Sequence, residues 1–155
     1  MAHTTGIQIT GDYDERHDAM DEDEIIGKLS RWCDYSGDYS KDEEKERTRR
    51  ELDWFSEYGC KVDHGERSFE ITDIEKFSRF LLAGTELRQP KTYEDACRYV
   101  CEVHAETACH IPTIMYGGGY GSLLEAIGPN LYSEHLPAGY RCLKYYIVKT
   151  FDCHF

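Results

Sequence analysis

The sequence predicts an α+β domain in which four to five helices pack on a small, mostly antiparallel sheet. Two short alternating segments at residues 60–62 and 69–71 predict a β-hairpin. Residues 141–151 are apolar on both faces, which predicts a long strand at the centre of the sheet. Apolar residues at helical spacing recur between these strands. The 155 residues suffice for one domain with its own core.

The first third of the chain predicts a strand followed by a helix. Residues 6–10 alternate in the manner of a short strand. Asp21 and Glu24 are spaced as a capping pair at a helix N-terminus. Five apolar residues then recur at helical spacing: Ile25, Ile26, Leu29, Trp32 and Cys33.

A second helix is expected to begin at Ser40, with Glu43 as its capping partner, and to end at Gly59. The hairpin that follows turns at residues 63–66. Because the charged residues of this helix alternate in sign at a spacing of four, they are placed to support it through ion pairs.

The remainder of the chain is expected to alternate between helices and short strands. Helices are predicted over residues 72–84 and 92–108, each starting at a capping threonine. A strand over residues 111–116, a glycine loop over residues 117–121 and a short helix over residues 122–127 come next.

The charge of the chain is strongly acidic. There are 30 Asp and Glu against 18 Lys and Arg, a formal net charge of -12. Broad contact with DNA, RNA or an anionic membrane needs cationic side chains that displace counterions. The composition therefore argues against direct nucleic-acid or membrane binding and favours a basic protein as the partner.

The sequence predicts a cytoplasmic protein of one domain, residues 1–155, in which residues 1–24 form an acidic and partly flexible N-terminal portion. No apolar run reaches the ~18 residues that span a membrane, and the first ten residues lack the features of a secretion signal. The seven cysteines are interpreted first as free thiols, because cytosolic thiols are normally reduced.

Residues 12–24, here called the acidic segment, hold the densest cluster of carboxylates. Arg16 is the only Lys or Arg among them. Carboxylates at this density are expected to compete for a basic groove, and loop tyrosines such as Tyr13 would add contact area. The alternative is a solvated acidic face without a partner. The candidate partner-binding residues are Asp12, Asp14, Glu15, Asp18, Asp21, Glu22, Asp23, Glu24, Asp42, Glu43, Glu44 and Glu46.

Cysteine and histidine residues suggest a zinc site on the predicted helix 92–108. Cys97, Cys101 and His104 share one helix face, and Cys109 and His110 follow at its end. Zinc needs three or four such ligands in tetrahedral geometry. No CxxC pair is present, and the same residues also fit an ordinary core stripe, since free cysteine is commonly buried.

The glycine loop has the strand–glycine–helix layout that cradles phosphate groups. Gly117, Gly119, Gly121 and Ser122 are its candidate ligand-binding residues. The glycines do not match GxGxxG and no P-loop lysine is present. A purely structural bend is the alternative.

These observations favour a protein-binding inhibitor or adaptor that occupies a basic, nucleic-acid-binding surface of its partner. No complete catalytic motif is present, and no cofactor is expected unless zinc binds. The size and acidity resemble in type the small inhibitors that mobile elements make against host nucleic-acid enzymes, and bacterial immunity proteins. A small zinc-binding domain, or a small enzyme with a Cys/His site beside the glycine loop, remains the alternative.

Overall fold

A computed structural model describes residues 3–29, 35–77, 114–117, 127 and 142–154 of the chain. These residues form an α+β fold with one antiparallel sheet, as predicted. The strands are β1 (His3–Thr10), β2 (Tyr35–Asp38), β3 (Cys60–Asp63), β4 (Ser68–Ile71), β5 (Ile114–Gly117) and β6 (Lys144–His154).

Three helices are defined within the described residues, fewer than the four to five that the sequence predicted. They are a 3-10 helix (Tyr13–Glu15), α1 (Glu22–Leu29) and α2 (Lys41–Glu57). Residues 74–77 and 127 are also helical. The rest of the predicted third helix, the whole of the fourth and the first five residues of the short helix lie outside the described residues.

The long C-terminal strand is central in the sheet, as expected. The strand order is β3-β4-β6-β1-β5, and β2 pairs with β6 beyond the end of β4. On one side, β1 runs along nearly the whole of β6. On the other side, β4 pairs with residues 144–146 and β2 with residues 151–154. Since β6 carries three neighbours, it organises the sheet.

Helix α2 packs on one face of the sheet and closes the main core. Its Leu52 and Phe55 belong to the same buried cluster as Ile7 and Ile9 of β1 and Tyr145 of β6. Because side chains alternate along a strand, their even-numbered neighbours on β1 point to the opposite face. That opposite face is covered by the chain that follows β1.

A β-bulge at Val148 changes which side chains of β6 face α2. Gln8 pairs with Lys149 and Ile9 with Ile147, so Val148 is the extra residue. After the bulge, Thr150 faces α2 and its buried hydroxyl lies 2.9 Å from that of Thr48. The bulge therefore turns Lys149 toward the opposite face.

The ends of α2 confirm two predictions made from sequence. The Ser40 hydroxyl accepts a hydrogen bond from the Glu43 amide at 3.3 Å, as an N-cap does. Gly59 follows the helix with a φ of 88°, a left-handed conformation that favours glycine. At α1, the Asp21 carboxylate likewise accepts from the Glu24 amide.

The N-cap expected at Thr72 is instead Asp73. The Asp73 carboxylate accepts from the Lys76 amide at 3.0 Å. Thr72 donates its hydroxyl to the carbonyl of Gly59 at 3.2 Å. Because the Thr72 hydroxyl is bonded to the residue that follows α2, Asp73 caps the helix in its place.

Two further sequence predictions are corrected at element boundaries. Residues 35–38 form a strand that the sequence analysis did not predict. Helix α1 is described from Glu22 to Leu29, and the expected Trp32 and Cys33 lie outside the described residues. Gly117, expected in the glycine loop, is the last residue of β5 and pairs with Gly6.

Gly6→Ala is expected to lower the free energy of unfolding by about 1–3 kcal/mol, because over-packing a filled site forces displacement. A Cβ at Gly6 would lie 2.4 Å from the ring of Phe151, which is fully buried. Urea denaturation measures the change. Phe151→Leu in the Gly6→Ala background is expected to recover part of the loss.

Gly27→Ala is the matched control for Gly6→Ala. A Cβ at Gly27 meets nothing within 4 Å, and the residue is exposed in α1. The control should be neutral or stabilising by up to about 1 kcal/mol. Equal stability of the Gly6→Ala variant and the unsubstituted protein would contradict this packing.

Candidate functional site

The acidic segment is attached to the sheet by the side chain of Gln8. Gln8 is 1% exposed and faces away from α2. Its Nε2 donates to the carbonyl of Asp18 at 3.0 Å, and its Oε1 accepts from the Met20 amide at 2.9 Å. The amide satisfies a donor and an acceptor of the crossing chain, as buried polar groups require.

Lys149, on β6, also holds the acidic segment on the sheet. Its Nζ donates to the carbonyl of Met20 at 2.8 Å and forms an ion pair with Asp38 at 2.6 Å. Its side chain is 11% exposed, so the charge is largely removed from water and needs these partners. Lys149 thereby joins the acidic segment to β2.

The start of the segment is held by Thr10 and by an aromatic contact. The Thr10 hydroxyl donates to the Glu15 carboxylate at 3.2 Å and accepts from the Asp12 amide at 3.1 Å. The ring of Tyr13 meets that of Tyr146 edge-on, with the centroids 5.8 Å apart. The segment therefore has contacts with the sheet along its whole length.

The carboxylates of the acidic segment point into solvent. Within the described residues, no ion pair joins a Lys or Arg to seven of them, and all seven are exposed: Asp12, Asp14, Asp18, Asp21, Glu22, Asp23 and Glu24. Asp12 and Asp21 accept backbone amides at turns. Glu22 accepts the amide of Asp38. These bonds orient the carboxylates without cancelling their charge.

The carboxylates of α2 are in a different electrostatic state, because cations of the chain itself pair with them. Glu44 lies 2.7 Å from the guanidinium of Arg67, on the β3–β4 turn. Glu43 lies 3.8 Å from Arg47, one helical turn away. For the neighbouring Asp42, no ion pair is found within the described part of the chain.

Glu46 is the most strongly perturbed carboxyl of α2. Arg49 donates two hydrogen bonds to it, at 2.7 and 3.0 Å, and Arg50 donates a third at 3.3 Å. The pKa of the Glu46 carboxyl is lowered to about 2, mainly by the hydrogen bonds from Arg49. Its negative charge is thus already matched by neighbouring arginines.

The candidate partner-binding residues therefore divide into two surfaces. Those of the acidic segment lie over the face of the sheet that Gln8 occupies, and those of α2 lie over the other. A single flat partner surface meets one of them at a time. Since ion pairs match three of the four candidate carboxylates on α2, the acidic segment offers the stronger field to a cation.

The candidate zinc and glycine-loop residues cannot be assembled into sites from the described structure. Cys97, Cys101, His104, Cys109, His110, Gly119, Gly121 and Ser122 lie outside the described residues, and for Gly117 only its place in β5 is described. Among the residues that are described, no group of three or more His, Cys, Asp or Glu is arranged to hold a metal ion. The zinc and Cys/His enzyme hypotheses stay predictions.

Two cysteines with described side chains, Cys60 and Cys142, are free thiols. Burial raises the pKa of Cys60 to about 12 and also raises the pKa of Cys142. Neither thiol is activated as a nucleophile, because the thiolate is the reactive form.

None of the helices in the described residues is long and apolar enough to cross a membrane. Comparisons with protein-family models, curated proteins and solved structures find no match to this chain.

Sequence reasoning missed Gln8 and Lys149, which hold the acidic segment. A glutamine inside an alternating strand reads as a solvent-facing residue. The one available signal was that Gln8 lies between Ile7 and Ile9 in a strand immediately followed by a polar segment long enough to fold back over it.

Gln8→Met is expected to destabilise the fold by about 1–3 kcal/mol, because it leaves the Met20 amide buried without an acceptor. Urea denaturation measures this. The acidic segment should also open more often, which trypsin detects at Arg16, its only Lys or Arg. Cleavage at Arg50 in α2 serves as the internal control. Unchanged cleavage at Arg16 would show that Gln8 does not hold the segment.

The Glu46 carboxyl is expected to titrate with a midpoint of about 2 in NMR spectra of the folded protein. Because the pKa is lowered from 4.5, its contribution to stability is fully present above about pH 4.5 and is lost as the pH falls toward 2. Arg49→Met should raise the midpoint more than Arg50→Met does. A midpoint near 4.5 in the unsubstituted protein would contradict the ion-pair geometry.

Proposed function

We propose that the protein is an acidic inhibitor or adaptor whose acidic segment occupies a basic, nucleic-acid-binding surface of a partner protein. Such a protein would be of the phage counter-defence or immunity-protein type. The observation that carries the proposal is that seven exposed carboxylates without cationic partners in the described structure lie on a segment fixed to a β-sheet.

The fixed backbone matters for affinity. A flexible acidic tail loses conformational entropy when it is ordered on a partner. Hydrogen bonds with the side chains of Gln8, Thr10 and Lys149 already hold the segment before binding. The fold therefore already holds the carboxylates close together against their mutual repulsion, and a cationic partner reduces that repulsion when it binds.

The charge density suits a surface that binds nucleic acid. Duplex DNA presents one negative charge per roughly 1.7 Å of its axis, and proteins meet it with clustered Lys and Arg. Eight carboxylates between residues 12 and 24 present a comparably dense negative surface. Such complementarity accelerates association and makes it sensitive to salt.

Tyr13 gives the same surface an apolar contact. It is 52% exposed, and its ring carries the guanidinium of Arg16 at 3.5 Å from the centroid. Tyr and Arg are the residue types enriched among the side chains that dominate interface energies. The stacked pair is therefore expected to lie at the centre of the interface, with the carboxylates around it.

The test uses the basic partner captured from the source cells, identified and then purified. Its Kd for the protein should rise steeply with salt, and duplex DNA should compete with the protein for it. The variant Asp14→Asn/Asp18→Asn/Asp23→Asn removes three exposed charges that make no side-chain hydrogen bond or ion pair with the described residues. It should bind about 5- to 30-fold more weakly, equivalent to about 1–2 kcal/mol.

The matched control is Asp63→Asn/Glu70→Gln/Glu75→Gln, which removes three exposed charges outside both acidic surfaces. It changes the net charge equally and should leave the Kd within about twofold. Equal weakening by both variants would show that only net charge matters. A partner that binds duplex DNA and this protein together would contradict the proposed competition.

A further inference from the structure

A second feature of the acidic segment is a groove that carries positive charge. The groove has a volume of about 330 Å³ and lies between the acidic segment, the β3–β4 turn and β6. Tyr13, Arg16 and His17 line one side of it, and Arg67 lines the other. In a chain of net charge -12, this convergence of nitrogen donors is unexpected.

The groove arises from a gap in the sheet. On one side of β6, the pairing with β4 ends at Tyr146 and the pairing with β2 begins at Phe151. The bulge at Val148 falls in this interval, and Ile147 and Val148 line the groove. Bulges of this kind often adjoin functional sites, because they interrupt regular pairing.

Arg67 is placed in the groove by an unusual backbone. Its φ is 59°, a left-handed conformation that glycine adopts more easily. Its carbonyl accepts from the Ile147 amide at 2.8 Å, which ties the turn to β6. Its Nη2 donates to Glu44 and Thr48, but its buried Nε has no partner within the described residues. The Arg67 side chain as a whole is 37% exposed, and it lines the groove.

Arg16, across the groove from Arg67, is pre-positioned by contacts with Tyr13. Its Nη1 donates to the carbonyl of Tyr13 at 2.8 Å, and its guanidinium carbon lies over the ring of the same residue, 3.5 Å from the centroid. A guanidinium has five N–H donors, so most remain for a ligand. The flat fork matches the geometry of a carboxylate or a phosphate.

The acidic neighbours set a limit on the charge of the ligand. Glu66 also lines the groove, but it is paired with Lys144 at 2.9 Å and accepts from Ser68 at 2.8 Å. The charge of Glu44 is likewise matched by Arg67. The exposed carboxylates of the acidic segment remain nearby, so the groove fits one oxyanion rather than a polyanion.

We propose that this groove binds a single carboxylate or phosphate group carried on a small aromatic body. The guanidinium groups of Arg16 and Arg67 would bind the oxyanion, while the ring of Tyr13 and the side chain of Val148 receive the body. The volume is at the lower end of the roughly 300–1,000 Å³ of small-molecule sites. This inference does not rest on the protein partner proposed above, although Tyr13 and Arg16 belong to both surfaces.

The test is a titration of the full chain followed by ¹H–¹⁵N NMR, with phenyl phosphate and benzoate as probes and phenol as the uncharged control. The structure predicts saturable shifts of the amides of residues 13–17, 65–67 and 147–148 with at least one charged probe, and none with phenol. Whichever charged probe binds more tightly identifies the oxyanion. Absence of saturation up to about 10 mM, tenfold above a Kd of about 1 mM, would overturn the proposal.

Arg16→Gln should weaken binding about tenfold, because it removes the charged fork and leaves the fold intact. Arg50→Gln, an exposed arginine on α2 paired with Glu46, is the matched control and should bind normally. If Arg16→Gln alters the dispersion of the NMR spectrum, His17→Gln is the second variant and should also weaken binding. Equal affinity of both groove variants and the control, or shifts confined to other residues, would overturn the assignment.

Discussion

The interaction on which the acidic surface depends is the pair of hydrogen bonds between the buried Gln8 amide and the chain at residues 18–20. Repulsion among neighbouring carboxylates opposes the folding of this segment onto the sheet. The Gln8 side chain offers one acceptor and one donor at the spacing of the crossing backbone. Lys149 adds a cation that donates to the Met20 carbonyl, because the bulge at Val148 turns its side chain toward the acidic segment.

The carboxylates on the two faces of the sheet differ in whether cations of the chain pair with them. On α2, arginines at a spacing of three and four residues pair with Glu43 and Glu46, which stabilises the helix and leaves a weak external field. On the acidic segment, the carboxylates accept backbone amides or point into water. A cationic partner therefore gains more at the acidic segment, although the two stretches look alike as compositions.

The same arrangement accounts for a cationic groove in an acidic protein. The acidic segment crosses the sheet where β6 lacks a strand neighbour, and so Arg16 comes to lie near the β3–β4 turn. The left-handed Arg67 then closes the groove from the other side. One feature of topology, the interval between the β4 and β2 pairings, thus provides both the surface for the segment and the groove beside it.

The sequence predicted the elements whose signals are local. The cap at Ser40, the stop at Gly59, the hairpin and the central strand all follow from residue types at short spacing, and the structure confirms them. The strand at residues 35–38 was missed because its serine and glycine carry no alternating apolar pattern. It exists through its pairing with β6, far along the chain.

The sequence predicted which residues belong to the candidate surface but not how they are arranged in space. Sequence indicated which residues are acidic; the division between the two faces of the sheet depends on how β1 and α2 pack. The roles of Gln8, Lys149 and Arg67 depend on contacts between residues separated by up to 129 positions, and local spacing carries no information about those.

Hydrogen–deuterium exchange of single amides in the unmodified protein tests most directly whether the acidic segment is held on the sheet. The Met20 amide, bonded to Gln8, and the Asp12 amide, bonded to Thr10, should be protected well beyond unfolded-chain rates. Exchange of both amides at unfolded-chain rates, with β1 and β6 still protected, would contradict the account. The acidic segment would then be a loose tail.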